Sequence, residues 1–76
     1  MDQNFIDNMH KKILLEMSEA ITHLELSIKL LSSTAEHYYE INDDCRGNIR
    51  QDTATTLKRE MMKLQFLNSQ LKSLLK

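Results

Sequence analysis

The chain has 76 residues and a formal net charge of −1, with one Gly, no Pro, no Trp and a single Cys. At that length one domain is the limit, and a single core contributes only ~3–5 kcal/mol of net stability, so a partner is expected. Few breakers among many helix formers exclude most sheet architectures, the lone Cys45 excludes an internal disulfide, and no hydrophobic run nears the ~18 residues of a membrane span.

Asp2 and Asp7 spoil a basic signal-peptide start, so a cytoplasmic protein without membrane insertion is expected. From residue 4 onward, Ile6, Ile13, Leu14, Met17, Ala20, Ile21, Leu24, Ile28, Leu31, Ala35 and Tyr38 recur at three- and four-residue steps. That spacing predicts one long amphipathic helix over about 4–42. Ser32, Ser33 and Thr34 interrupt it with weaker helix formers, and Ser33 with Glu36 fits a capping box. A continuous helix and one kinked or broken at 32–34 are both consistent with the pattern.

Residues 42–48 (Asn42, Asp43, Asp44, Cys45, Arg46, Gly47, Asn48) then collect turn formers, and Gly47 is the residue free to take φ > 0. They predict a loop at 43–47. Beyond it Ala54, Leu57, Met61, Leu64, Leu67, Leu71, Leu74 and Leu75 trace a second stripe, with Leu57, Leu64 and Leu71 spaced by seven. They predict a second helix over about 48–75. A short connection between long helices folds them antiparallel. The fold class is therefore an all-α antiparallel helical hairpin forming one domain over 1–76, expected to pack into a dimer or a hetero-oligomeric bundle. Leu31 should lie near Thr56 or Leu57, and Leu24 near Leu64 to Leu67.

Charge is segregated along the chain: residues 1–44 hold nine acids and three bases, and residues 45–76 two acids and seven bases. An acidic helix is thus expected alongside a basic one, although exposed pairs are each worth only ~0.2–1 kcal/mol.

Two features point outward. At 1.5 Å per residue the first helix is roughly 58 Å long and the second roughly 40 Å, so about ten N-terminal residues overhang and leave Phe5, Ile6, Met9 and Ile13 without an intramolecular partner. On a wheel of 100° per residue, Met62 and Phe66 lie about 160–200° from Leu64, and Leu15, Leu26 and Leu30 lie opposite Leu24. A two-helix hairpin cannot bury both faces, so these nine residues are the candidate partner-binding set.

Catalytic, cofactor and metal sites are not predicted. His10, His23 and His37 are too far apart for a ligand motif, Asp43 and Asp44 sit in a polar loop that gives neither burial nor low dielectric, and Cys45 lacks a nucleophile motif. Lys58, Arg59 and Lys63 form a modest basic cluster interrupted by Glu60. It keeps a homodimeric four-helix-bundle regulator of RNA or DNA as the alternative, with nucleic acid the less expected partner.

The length, the Gly47 turn, the Leu- and Met-rich second helix and the cysteine-poor make-up together resemble the small helical-hairpin co-chaperones of bacterial type III secretion systems. That resemblance implies a chaperone-like role: a heteromeric complex in which apolar stripes are shared with a second chaperone and with an assembly-prone helical needle subunit. It carries no residue-level assignment. The function expected is a protein-interaction module that binds a partner helix through Met, Leu and Phe side chains.

Overall fold

A computed structural model describes residues 3–74. Within them helix α1 runs Gln3–Glu40 and helix α2 runs Asp44–Ser73, with no strand. The two pack antiparallel into a rod of 60 × 16 × 14 Å. Its radius of gyration of 17.5 Å far exceeds the about 11 Å of a compact globule of this length. A single layer of two helices surrounds no side chain on all sides, so only small Ala35 and Ala54 approach complete burial, and Leu14 and Ile21 remain 8% exposed.

The packing follows a seven-residue frame. In α1 the a positions are Asp7, Leu14, Ile21, Ile28 and Ala35, and the d positions are His10, Met17, Leu24, Leu31 and Tyr38. In α2 they are Gly47, Ala54, Met61 and Asn68 at a, with Arg50, Leu57, Leu64 and Leu71 at d. Every described α1 residue that is not exposed falls at a, d or e, and every such α2 residue falls at a or d. This is the burial pattern of an antiparallel coiled-coil seam.

α1 is continuous through 32–34. The Thr34 hydroxyl donates to the carbonyls of Leu30 and Leu31 at 2.9 and 3.1 Å, satisfying itself within the preceding turn. Ser32 and Ala35 face α2, so packing there outweighs the weak propensity of the Ser-Ser-Thr run.

The connection is shorter than the predicted 43–47 loop. It spans residues 41–43, and the second helix begins four residues earlier than expected. Asp43 is the N-cap: its carboxylate accepts from the Arg46 amide at 3.2 Å and pairs with the Arg46 guanidinium at 3.4 Å. The left-handed residue is Asn42, φ 62°, not Gly47. Asn tolerates that conformation because its short amide bonds locally.

Gly47 instead lies inside α2, where the Tyr39 ring needs the space: a Cβ there would stand 2.6 Å from Cε1 and 2.8 Å from Cδ1. The Tyr39 hydroxyl donates to Asn48 Oδ1 at 2.7 Å, fixing the ring over the glycine. Beside it, the Arg50 guanidinium lies 4.4 Å from the Tyr38 ring centroid. The loop end is thereby sealed by two tyrosines.

This contact makes a sign prediction. Gly47→Ala should cost ~1 kcal/mol, because overpacking (~1–3 kcal/mol) outweighs the ~0.5–1 kcal/mol that Ala gains over Gly in a helix. In a Tyr39→Ala background the same change should stabilise. Urea titrations of the four proteins test it, and equal signs in both backgrounds would refute the contact.

At the open end the last described turn is capped by Leu74, whose amide donates to Leu71 O at 3.1 Å. The predicted extension to Leu75 lies outside the described residues. His10 Nε2 lies 2.8 Å from the same carbonyl, and since a carbonyl only accepts, Nε2 carries the proton. α2 therefore reaches His10, and the overhang is confined to the turns of α1 before it. Ser32 shares a groove with Ala54 and Thr55, and Glu25 another with Lys58 and Met61. The shorter loop thus places the neighbourhood of Leu24 about a turn nearer the loop than Leu64 to Leu67.

Candidate interaction surface

All nine predicted partner-binding residues are exposed: Phe5, Ile6, Met9, Ile13, Leu15, Leu26 and Leu30 on α1, with Met62 and Phe66 on α2. The frame divides them among three sides of the rod. Ile6 and Ile13 occupy g, Met9 and Leu30 occupy c, Leu15 and Met62 occupy b, and Phe5, Leu26 and Phe66 occupy f. Met62 and Phe66 are an i,i+4 pair on the outer side of α2, as the wheel placed them.

Ile13 requires a different account from overhang. Its neighbours in the chain, His10 and Met17, both reach α2, so Ile13 stands level with that helix and is exposed because position g points off the seam. Leu67 and Leu74, assigned by periodicity to the buried stripe of α2, are likewise exposed at g, 48% and 72%. Ala20, assigned to the stripe of α1, is exposed at g too. Ile49 is exposed at c. Steps of three and four do not separate d from the neighbouring g, whereas the run Ala54, Met61, Asn68 interleaved with Leu57, Leu64, Leu71 would have done so.

The rod therefore has two unlike flat faces. The face formed by g and c positions of both helices carries Ile6, Met9, Ile13 and Leu30 from α1, and Ile49, Leu67 and Leu74 from α2. Its charged residues on the two helices are Glu16, Arg46, Glu60 and Lys63, of which Lys63 bonds Glu60 at 3.2 Å and Arg46 pairs with Asp43. Among the described residues the opposite face, of e and b positions, carries only Leu15 and Met62 as large exposed apolars. It holds Lys11, Glu25, Lys29, Glu36, Asp44, Lys58 and Lys72. Along its seam Ser18, Ser32 and Tyr39 of α1 are half-buried, whereas every g position on both helices is exposed.

The largest groove lies on the apolar face at the open end: about 530 Å³, lined by Met17, Leu67, Gln70, Leu71, Ser73 and Leu74. The apolar g residues cluster at that end too. Toward the loop the g positions are Ser27 and Thr34 on α1, and Arg46, Thr53 and Glu60 on α2.

Charge segregation survives folding without being spent across the seam. α1 holds six acids and three bases, net −3, and α2 three acids and six bases, net +3. Among the described residues the ion pairs are the local Arg46–Asp43 and Lys63–Glu60, and none joins α1 to α2. The expected alignment of acidic on basic helix exists, but among the described residues no ion pair joins the two.

Among the described residues Asn68 is the one buried polar residue, 7% exposed, with a buried Oδ1 that has no hydrogen-bond partner. Cys45 is a free, exposed thiol at the loop end. Lys58, Arg59 and Lys63 occupy e, f and c, so they spread around α2 rather than forming a stripe. Among the described residues no three His, Cys, Asp or Glu side chains could share a metal ion, and no helix is long and apolar enough to cross a membrane.

These features define the class: an all-α helical hairpin with one apolar and one charged flat face. No protein-family model, curated protein or solved structure matches the chain.

Proposed function

We propose that this protein is a non-catalytic interaction module that presents apolar helix faces to other helices. One observation carries the reading: among the described residues four apolar residues are buried, while thirteen large apolar residues stand exposed on a rod two helices thick. Fully burying a Met or Phe side chain is worth ~1.5–3 kcal/mol, so covering even a few of them rivals the net stability of the hairpin itself. The grooves support the same reading, since they are open troughs between helices and not pockets into which several elements direct polar groups.

A chaperone-like or scaffold role, such as the secretion co-chaperone that the sequence format suggests, is a particular form of this function. Met62 and Phe66 on the outer side of α2 are the residues on which such a helical client would rest. The nucleic-acid alternative has less support, because Lys63 is engaged by Glu60 and the cluster Lys58, Arg59 and Lys63 is spread over positions e, f and c.

Phe66→Ser combined with Met62→Ser is expected to leave helicity intact, since both residues are exposed, and to remove the partner. Co-purification from the native host followed by mass spectrometry should return a stoichiometric helical protein with the unaltered chain and none with the double variant. An unaltered chain that is monomeric and carries no stoichiometric partner would overturn the proposal.

A further inference from the structure

We infer that the apolar g/c face is a self-association surface, on which a second copy lies with its loop at the same end, α1 of each chain over α2 of the other. The inference rests on the interaction-module reading and names both the partner and the orientation.

Three observations choose a second copy. The face is self-complementary in level. A two-fold axis parallel to the rod preserves position along it, so the apolar open half meets the apolar open half and the Ser27, Thr34 and Thr53 half meets its own kind. The same axis sets α1, net −3, over α2 of the other copy, net +3, and so lays helices of opposite net charge on one another. The face is also large enough. At 60 by 16 Å its projected area is on the order of 900 Å² per copy, against the roughly 800 Å² per partner of a standard interface.

The alternative stacking, with loops at opposite ends, fails on two counts. Its two-fold axis lies across the rod, so α1 rests on α1 and α2 on α2, like charge on like. With the rods in full overlap it also lays the apolar half on the polar half. In the favoured arrangement Ile13, level with the stretch of α2 between Leu67 and Leu74, comes over the open groove of the other copy. Leu30 and Ile49, at c, fall on the line where α1 of one chain meets α2 of the other.

Met62 and Phe66 lie outside this interface, which leaves them free for a different protein. A dimer of this kind is a four-helix bundle whose core is completed only by pairing.

The natural Cys45 supplies the test, because it is exposed and stands at the loop end. The full-length chain, spin-labelled at Cys45, should sediment as a dimer of 8.9 kDa protomers. Dipolar spectroscopy should place the two labels within about 30 Å, the span of two stacked layers, given helix diameters of roughly 10–12 Å plus linkers. Ile13→Glu with Leu67→Glu, both at exposed positions, should give a helical monomer, whereas Leu15→Glu with Met62→Glu on the opposite face should remain a dimer. Labels about 60 Å apart, or a dimer indifferent to the Ile13 and Leu67 changes, would overturn the inference. So would an unaltered chain that stays monomeric at millimolar concentration. A monomer that still captures a stoichiometric helical partner would refute self-association and leave the interaction-module reading standing.

Discussion

Ile21→Ala is expected to remove about half or more of the hairpin's stability. Ile21 occupies a central a position and is among the few large side chains that the seam buries. Truncating a buried Ile typically costs ~2–5 kcal/mol, part of it for the cavity left behind. A rod with one layer of contacts has solvent on both flanks and relaxes more easily than a globular core, which places the cost toward the lower end, at about 2–3 kcal/mol. That remains most of the ~3–5 kcal/mol available to a domain of this size. Thermal and urea melts followed by helical circular dichroism measure it, with Leu26→Ala, at an exposed f position, as a control expected to change stability by less than about 0.5 kcal/mol. A loss below about 1 kcal/mol at Ile21 would mean that the seam is not where the stability resides.

Asn68→Leu should act in the opposite direction. The Asn68 carboxamide oxygen is buried in the seam without a partner, and such a group carries a desolvation penalty of ~1–3 kcal/mol. Leu is close in volume and removes that penalty, so a gain of ~1–2 kcal/mol is expected. For a domain of this length each kcal/mol moves the midpoint by roughly 4–8 °C. The compensating loss is in specificity, since a single polar residue at an a position restricts register and oligomer state at a cost in stability. The variant should therefore melt higher yet populate additional oligomers by native mass spectrometry. A lower melting temperature would show that Asn68 is satisfied in the assembled protein and that its orphaned oxygen belongs only to the isolated hairpin.

That second outcome bears on the self-association argument. The unsatisfied amide in the seam, the absence of ion pairs across it among the described residues and the apolar flat face are the three features that the proposed pairing would draw on. The exposed charge lies on the e/b face and on the outer Lys12, Glu19 and Arg59.

The two long helices, their antiparallel return and the exposure of Phe5, Met62 and Phe66 were determined by the sequence alone. Amphipathic spacing, scarce breakers and a short polar connection leave few other ways to hide apolar stripes from water. The tertiary structure decided what depends on a neighbour. Gly47 looked like the turn residue because its freedom is visible locally, but its place was decided by the Tyr39 ring that needs its missing Cβ, and Asn42 took the left-handed conformation. The Ser-Ser-Thr run could have broken α1, and did not because α2 packs across it. Leu67, Leu74 and Ile13 matched the buried stripes in spacing, yet one step around the helix separates d from g, and only the position of the second helix settles which of the two is covered. A single helix specifies that it has an apolar side; the angle at which its partner meets that side determines which residues remain for another molecule.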